Sequence, residues 1–219
     1  KVKADGDGHG VTDGAIAAGR AFYSYDVGST PLRVIVIDTA APTGSAEGLL
    51  HQAEIDSFLR PELDRALADQ KLVVVASHHS SARLTDGGEF GGTAPPDAVM
   101  PDEFRELLGD YPNILMHLAG HTHVHRVTEV LPSLGTPYWE VETSALADFP
   151  HQLRAFEIWD LDNGFYSIRS IAFDFQTEAD PIAKKGRNLG IMDFTACGQE
   201  DGTGAVSDRN FDLYVPKGQ

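Results

Sequence analysis

Three largely apolar runs, each followed within three residues by aspartate or histidine, constrain the fold of this chain more than any other feature of its sequence. The runs occupy residues 32–37, 72–76 and 114–118. Runs of this length are typical of strands that are buried on both faces of a parallel sheet. Two segments with apolar residues at helical spacing, 50–69 and 101–108, lie between them. The pattern therefore predicts an α/β fold in which buried strands alternate with helices.

Shorter strand patterns replace this alternation in the second half of the chain. They cover residues 127–131, 138–142, 154–160 and 165–173. An Asp-Asn-Gly sequence at 162–164 predicts a tight hairpin before the last of them. We interpret residues 1–20 as a loop and residues 176–219 as a loosely structured tail that wraps the body. One α/β domain is thus predicted over residues 21–175.

Candidate ligands follow all three buried strands. Asp38 follows the first strand. His78 and His79 follow the second, and His121 and His123 follow the third. Because ligands of α/β proteins bind beyond the carboxyl ends of the strands, we expect these side chains to meet in one place. Neutral imidazole binds zinc, iron, manganese or cobalt, so this clustering of histidines indicates a metal site.

The nine histidines of the chain are assigned different roles. We expect His78, His121 and His123 to be metal ligands. His79 and His125 flank these ligands, and we expect them to contact substrate or to support the ligands. Asp38 is expected to help shape the same pocket. The remaining histidines are interpreted as surface or core residues: His9, His51, His117 and His151.

Two motifs resemble the metal-binding motifs of the calcineurin-like metallophosphoesterases. They are the strand that ends in Ser77-His78 and the Gly-His-Thr-His sequence over 120–123. The resemblance implies the layered α-β-β-α sandwich of that family, with this chain as its C-terminal half. It also implies two divalent metal ions (Mn, Fe, Zn, Co or Mg), with His78 and His121 on one ion and His123 on the other. The implied reaction is hydrolysis of a small phosphomonoester or phosphodiester by a metal-bridging hydroxide.

Further stretches are similar to one bacterial, often exported subgroup of that family. They cover residues 138–144, 148–154 and 208–210. This similarity favours an exported or periplasmic location over a cytoplasmic one.

Other motifs of the family are not found in this sequence. The family also carries an earlier D-x-H, a G-D with a bridging aspartate, and a G-N-H. Asp7-Gly8-His9 matches the letters of the first motif, but no buried strand precedes it, and we reject it. We therefore expect an N-terminal half of the same enzyme, as a second chain or a missing segment, and little activity without it.

The acidic composition argues against some partners. The chain has 33 acidic and 17 basic residues, for a net charge of −16, so we expect no nucleic-acid surface. No apolar run reaches the roughly 18 residues of a membrane span. Cys197 is the single cysteine, which excludes an internal disulfide and a cysteine-ligated zinc site.

Two alternative functions stay open. His121, His123 and His125 are similar in spacing to the H-x-H-x-D-H motif of metallo-β-lactamase-like hydrolases. That motif requires aspartate at position 125 and histidine at 126, where this chain has His125 and Arg126. The other alternative is a metal-binding or interaction module without catalytic activity, which the missing motifs favour and the set of histidines disfavours.

Overall fold

A computed structural model describes residues 13–88, 92–197 and 201–217 of the 219-residue chain. The strands, numbered along the chain, are β1 (Tyr23–Asp26), β2 (Leu32–Val36), β3 (Leu72–Ala76), β4 (Ile114–Ala119), β5 (Arg126–Val130), β6 (Tyr138–Glu142), β7 (Gln152–Asp160), β8 (Phe165–Asp174) and β9 (Phe211–Pro216). The helices are α1 (Asp13–Ala18), α2 (Gln52–Glu54), α3 (Arg60–Ala68), α4 (Pro101–Gly109), α5 (Pro181–Cys197) and α6 (Val206–Arg209).

The strands form two sheets. The first is a mixed sheet of six strands in the order β1-β2-β3-β4-β6-β5, and the second contains β7-β8-β9. Strands β2, β3 and β4 pair in parallel, and β1 pairs antiparallel with β2. The prediction of an α/β fold with parallel strands is therefore confirmed. The chain divides into two compact units, Lys1–Ala119 with Glu129–Glu140, and Gly120–Thr128 with Val141–Gln219.

The core of the first unit forms around β3. Val73, Val74 and Val75 are each at most 3% exposed, so successive side chains are buried on both faces of this strand. Each such side chain contributes about 1.5–3 kcal/mol of burial free energy. Leu63 of α3 and Phe104 of α4 pack into the same cluster. The apolar strands and the amphipathic helices thus pack together around one hydrophobic core.

Pro61 changes the geometry of the helix that leads to β3. The sequence predicts an interruption there, because proline has no N–H to donate within the helix. The chain instead stays helical, and a π-helical turn (Ile55–Leu59) separates α2 from α3. Pro61 lies in the first turn of α3, where a missing N–H is tolerated. The expected break is therefore a local widening of the helix.

The second unit contains the antiparallel sheet of β7, β8 and β9. Ile168 pairs with Ile158 on one side and with Leu213 on the other. Ile168 and Leu213 are buried, whereas Ile171 and Phe173 on the opposite face of β8 are partly exposed. This alternation is typical of an antiparallel sheet with one packed face.

Two expectations from the sequence are wrong in detail. Residues 13–18 of the predicted loop form α1, and residues 1–12, with Asp7 and His9, lie outside the described part of the chain. The predicted loose tail contains α5, and its β9 pairs with β8. Gly186 and Gly190 lower the helical propensity of α5, but its Phe194 stacks on Phe149, and such packing stabilises the helix.

Across residues 13–88, 92–197 and 201–217, no helix has both the length and the hydrophobicity that a membrane span requires.

Candidate metal site

The parallel strands bring the starts of the histidine loops to one sheet edge. Val36 pairs with Ala76, and Ala76 pairs with Leu118, at the carboxyl ends of β2, β3 and β4. The N–H of Ile37 donates to Ala76, and the N–H of Ser77 donates to Leu118, at 2.9 and 3.0 Å. The pairing therefore continues one residue beyond the strands, into the loops that carry the candidate ligands.

A group of three histidines could hold a metal ion. His78, His79 and His121 each offer one ring nitrogen, and these atoms lie within 4.8 Å of one another. Two nitrogens bound to one zinc ion lie at most about 4.2 Å apart, because each Zn–N bond is about 2.1 Å long. The 4.8 Å limit of this group is somewhat longer than that spacing. His123, which the sequence also predicts as a ligand, is not part of this group in the described residues.

His79 has hydrogen-bond partners on both ring nitrogens. Its Nε2 lies 3.1 Å from the carbonyl of Ala46, and its Nδ1 lies 2.9 Å from the hydroxyl of Thr39. A carbonyl only accepts, so Nε2 carries the hydrogen and Nδ1 accepts from Thr39. Coordination by His79 would break one of these bonds. This cost counts against His79 as a ligand and is consistent with the supporting role predicted for it.

A buried hydrogen bond between His117 and Glu140 supports the loop that carries His78. His117 is fully buried, with Nδ1 2.8 Å from Glu140 Oε2 and Nε2 2.7 Å from Ser77 Oγ. Ser77 donates its hydroxyl hydrogen to the carbonyl of His79 at 2.6 Å, so it accepts from His117. Both ring nitrogens of His117 are therefore hydrogen-bonded, one to the hydroxyl of Ser77 and the other to the carboxylate of Glu140.

The same carboxylate fixes the other end of that loop. The N–H of Ser81 donates to Glu140 Oε2 at 2.8 Å. Burial raises the pKa of Glu140, but the hydrogen bonds from His117 and Ser81 outweigh it and hold the pKa at about 2. Glu140 is therefore ionised at neutral pH. Residues 77–81 are anchored at both ends, which orders the loop before any ligand arrives.

Asp38 shapes the backbone beside this loop. Its Oδ2 accepts from the N–H of Ala21 and its Oδ1 accepts from the N–H of Ala40, each at 3.0 Å. Arg20 Nη1 lies 3.9 Å from the carboxylate. These contacts engage both oxygens of the carboxylate and give Asp38 a structural role. Contact of Asp38 with substrate stays a prediction.

The Gly-His-Thr-His loop adopts an unusual backbone conformation. His121 and His123 have φ angles of 66° and 58°, in the left-handed region. Such residues cost about 1–3 kcal/mol each and concentrate at functional sites. Glu142 secures the loop, because its carboxylate accepts from the Thr122 hydroxyl at 2.7 Å and from Arg126 at 2.9 Å.

His125 is the centre of a buried hydrogen-bond network. Its Nδ1 accepts from Arg154 Nη2 at 2.8 Å, and its Nε2 donates to Gln152 Oε1 at 3.1 Å. Burial, and then the charge of Arg154, lower the pKa of His125 and keep it neutral. Arg154 also donates to the carbonyls of Asp208 and Arg209. His125 is fully buried, so its side chain is not accessible to a substrate. Of its two predicted roles, support of the loop that carries the ligands stays a prediction.

The other histidines with described side chains have local partners. His51 Nδ1 lies 2.9 Å from Asp97 Oδ1, and His151 Nδ1 donates to the carbonyl of Leu146 at 2.7 Å. These contacts agree with the structural roles predicted for both residues. His123 differs, because its Nδ1 pairs with the carboxylate of Asp148 while the ring is half exposed.

Sequence reasoning missed the acidic residues that support the histidine loops. Glu140 and Glu142 lie in β6, and Asp148 lies in the loop that follows. A signal was present, because two glutamates in a strand with Tyr138 and Val141 must be paired if the strand is buried.

No model of a known protein family matches this chain, and no curated protein matches it. The resemblance to the calcineurin-like metallophosphoesterases therefore rests on the motifs of the sequence alone.

Proposed function

We propose that this chain is the metal-binding C-terminal half of a metallophosphoesterase that hydrolyses phosphomonoesters or phosphodiesters. The observation that carries the proposal is the group of imidazoles that could hold a metal ion, of which His78 and His121 are the proposed ligands. On this proposal, the six-stranded sheet belongs to a layered α-β-β-α sandwich of the calcineurin type.

The donor set suits a borderline divalent cation. Neutral imidazoles bind Zn²⁺, Mn²⁺, Fe²⁺ or Co²⁺, and a site with few protein ligands leaves positions open for water and substrate. His78 and His121 hold one ion, and His123 is the proposed ligand of a second. When bound, such a pair of ions supplies an activated water and positive charge for the phosphoryl oxygens.

The charge of the proposed ligands indicates that this half needs a further, anionic ligand. Imidazoles are neutral ligands, so His78, His121 and His123 would bring no negative charge to offset the repulsion between two dications. An anionic bridging ligand is required for the complete dinuclear centre. We propose that an N-terminal half of the same enzyme supplies it, as a second chain or as a segment outside this sequence.

Metal titration of the full chain tests the first site. We expect Zn²⁺ and Mn²⁺ to bind with measurable heat in calorimetry, and His78→Ala or His121→Ala to lower the affinity at least tenfold. His51→Ala, which removes a histidine paired with Asp97, is the matched control and should leave the affinity unchanged. Equal affinities in all these variants would refute the proposed ligands.

Hydrolysis assays test the catalytic part. We expect p-nitrophenyl phosphate or its bis-ester to be hydrolysed with added Mn²⁺ when the proposed N-terminal half is supplied, and His78→Ala to abolish the turnover. Metal binding without turnover of either ester under those conditions would favour a non-catalytic metal-binding module.

A further inference from the structure

Asp148 and His123 form a contact that the proposed reaction does not explain. Oδ2 of Asp148 is hydrogen-bonded to Nδ1 of His123. An ionised carboxylate can only accept, so Nδ1 of His123 carries the hydrogen. The pair therefore selects one tautomer of the ring, in which the lone pair is on Nε2.

The backbone around this pair is held from two sides. On one side, the N–H of His151 donates to the carbonyl of Asp148 at 2.7 Å, which closes a turn. On the other side, a Cβ on Gly202 would lie 2.4 Å from the carbonyl oxygen of His123 and 2.7 Å from that of Phe149. Only glycine fits at that position. The carboxylate and the imidazole therefore face each other because the chain around them is fixed.

The left-handed backbone conformation of His123 also indicates a functional role for its side chain. Its φ of 58° sets the direction of the side chain, which is 49% exposed. A surface histidine gains little from a single ion pair. A ring that is held at Nδ1, with Nε2 left to an incoming ligand, has the geometry of a histidine bound to metal and supported by a carboxylate.

We propose that Asp148 is a positioning residue that fixes the tautomer and orientation of His123, so that Nε2 binds the metal. This inference rests on the proposed function, because it assumes that His123 is a ligand. It assigns to Asp148 a role that acts through His123, without contact to substrate.

The test follows the ring nitrogens of His123 by ¹⁵N NMR in the full chain. In the metal-free protein, the Nδ1–H tautomer should dominate, and Asp148→Ala should shift the population towards Nε2–H. During a Zn²⁺ titration, the Nε2 shift of His123 should need about 10–100-fold more metal in Asp148→Ala. Asp148→Asn retains an acceptor oxygen and should fall between the two. Asp193→Asn, an exposed aspartate on α5, is the matched control and should behave as wild type.

Two results overturn the inference, and they are distinguishable. If His123→Ala lowers the amount of Zn²⁺ bound but Asp148→Ala changes neither tautomer nor affinity, His123 is a ligand without a positioning residue. If the Nε2 signal of His123 does not respond to Zn²⁺ in wild type, His123 is not a ligand, and this part of the proposed function fails as well. Circular dichroism and the melting temperature verify that each variant is folded.

Discussion

Replacing Glu140 by glutamine should destabilise the first unit strongly, although Glu140 is not a predicted metal ligand. Its side chain is 5% exposed and accepts hydrogen bonds from His117 and from the N–H of Ser81. The pKa is about 2 in the folded protein and 4.5 for the free side chain. At about 1.4 kcal/mol for each pH unit, the difference corresponds to about 3 kcal/mol of stability. Glutamine removes the charge and weakens the hydrogen bonds that the carboxylate of Glu140 accepts from His117 and Ser81.

The same pKa difference predicts how the stability of the protein changes with pH. The folded pKa of Glu140 lies below its unfolded value, so the stabilisation is present above about pH 4.5. It is lost as the pH falls from there towards 2. The wild-type protein should therefore lose about 3 kcal/mol over this range from Glu140, and this component should be missing in Glu140→Gln.

Urea denaturation at pH 7 measures the effect. The chain has two tryptophans, so a Trp159→Phe background leaves Trp139, next to Glu140, as the reporter of the first unit. Glu129→Gln removes an exposed carboxylate and serves as the control, with an expected change below about 0.5 kcal/mol. A loss below about 0.5 kcal/mol in Glu140→Gln, or an unchanged acid dependence, would show that the His117–Glu140 pair does not stabilise the fold.

Two further variants test the network around His125. Gly204→Ala would place a Cβ 1.9 Å from the carbonyl oxygen of His125, at a φ of 63°, so we expect a loss of at least about 2 kcal/mol in thermal unfolding. An unchanged melting temperature would contradict the described packing. Arg154→Met removes the donors to Asp208 and Arg209, and amide hydrogen exchange of residues 206–211 should become at least tenfold faster. Equal protection in both proteins would show that Arg154 does not order this segment.

Features with a local cause were predictable from the sequence. The predicted strand over 72–76 coincides with β3. A short run with apolar residues on both faces is typical of a strand in the interior of a sheet. The hairpin at 162–164 is also confirmed, since Asp162 and Gly164 have φ angles of 54° and 91°. Both features are determined by residues that are close together in the sequence, so a pattern of consecutive residues is enough to predict them.

Features that depend on distant partners were not predictable in the same way. Ser77, His117 and Glu140 belong to three different segments, and their hydrogen bonds form only after the sheet has aligned. The sequence placed His125 beside the ligands, yet the partner that decides its tautomer is Arg154, which is 29 positions away. A single sequence can indicate that such residues are important, but it does not indicate which of them form hydrogen bonds with one another.

The anchoring of residues 77–81 by the His117–Glu140 pair affects how mutational data on this protein should be interpreted. On the proposed function, a genetic screen scored on metal-dependent output would recover substitutions at Glu140 and His117 together with those at His78 and His121. The first class would lower the amount of folded protein, and the second would leave abundance intact. Measuring protein abundance beside output would separate the two classes and keep supporting residues from being mistaken for ligands.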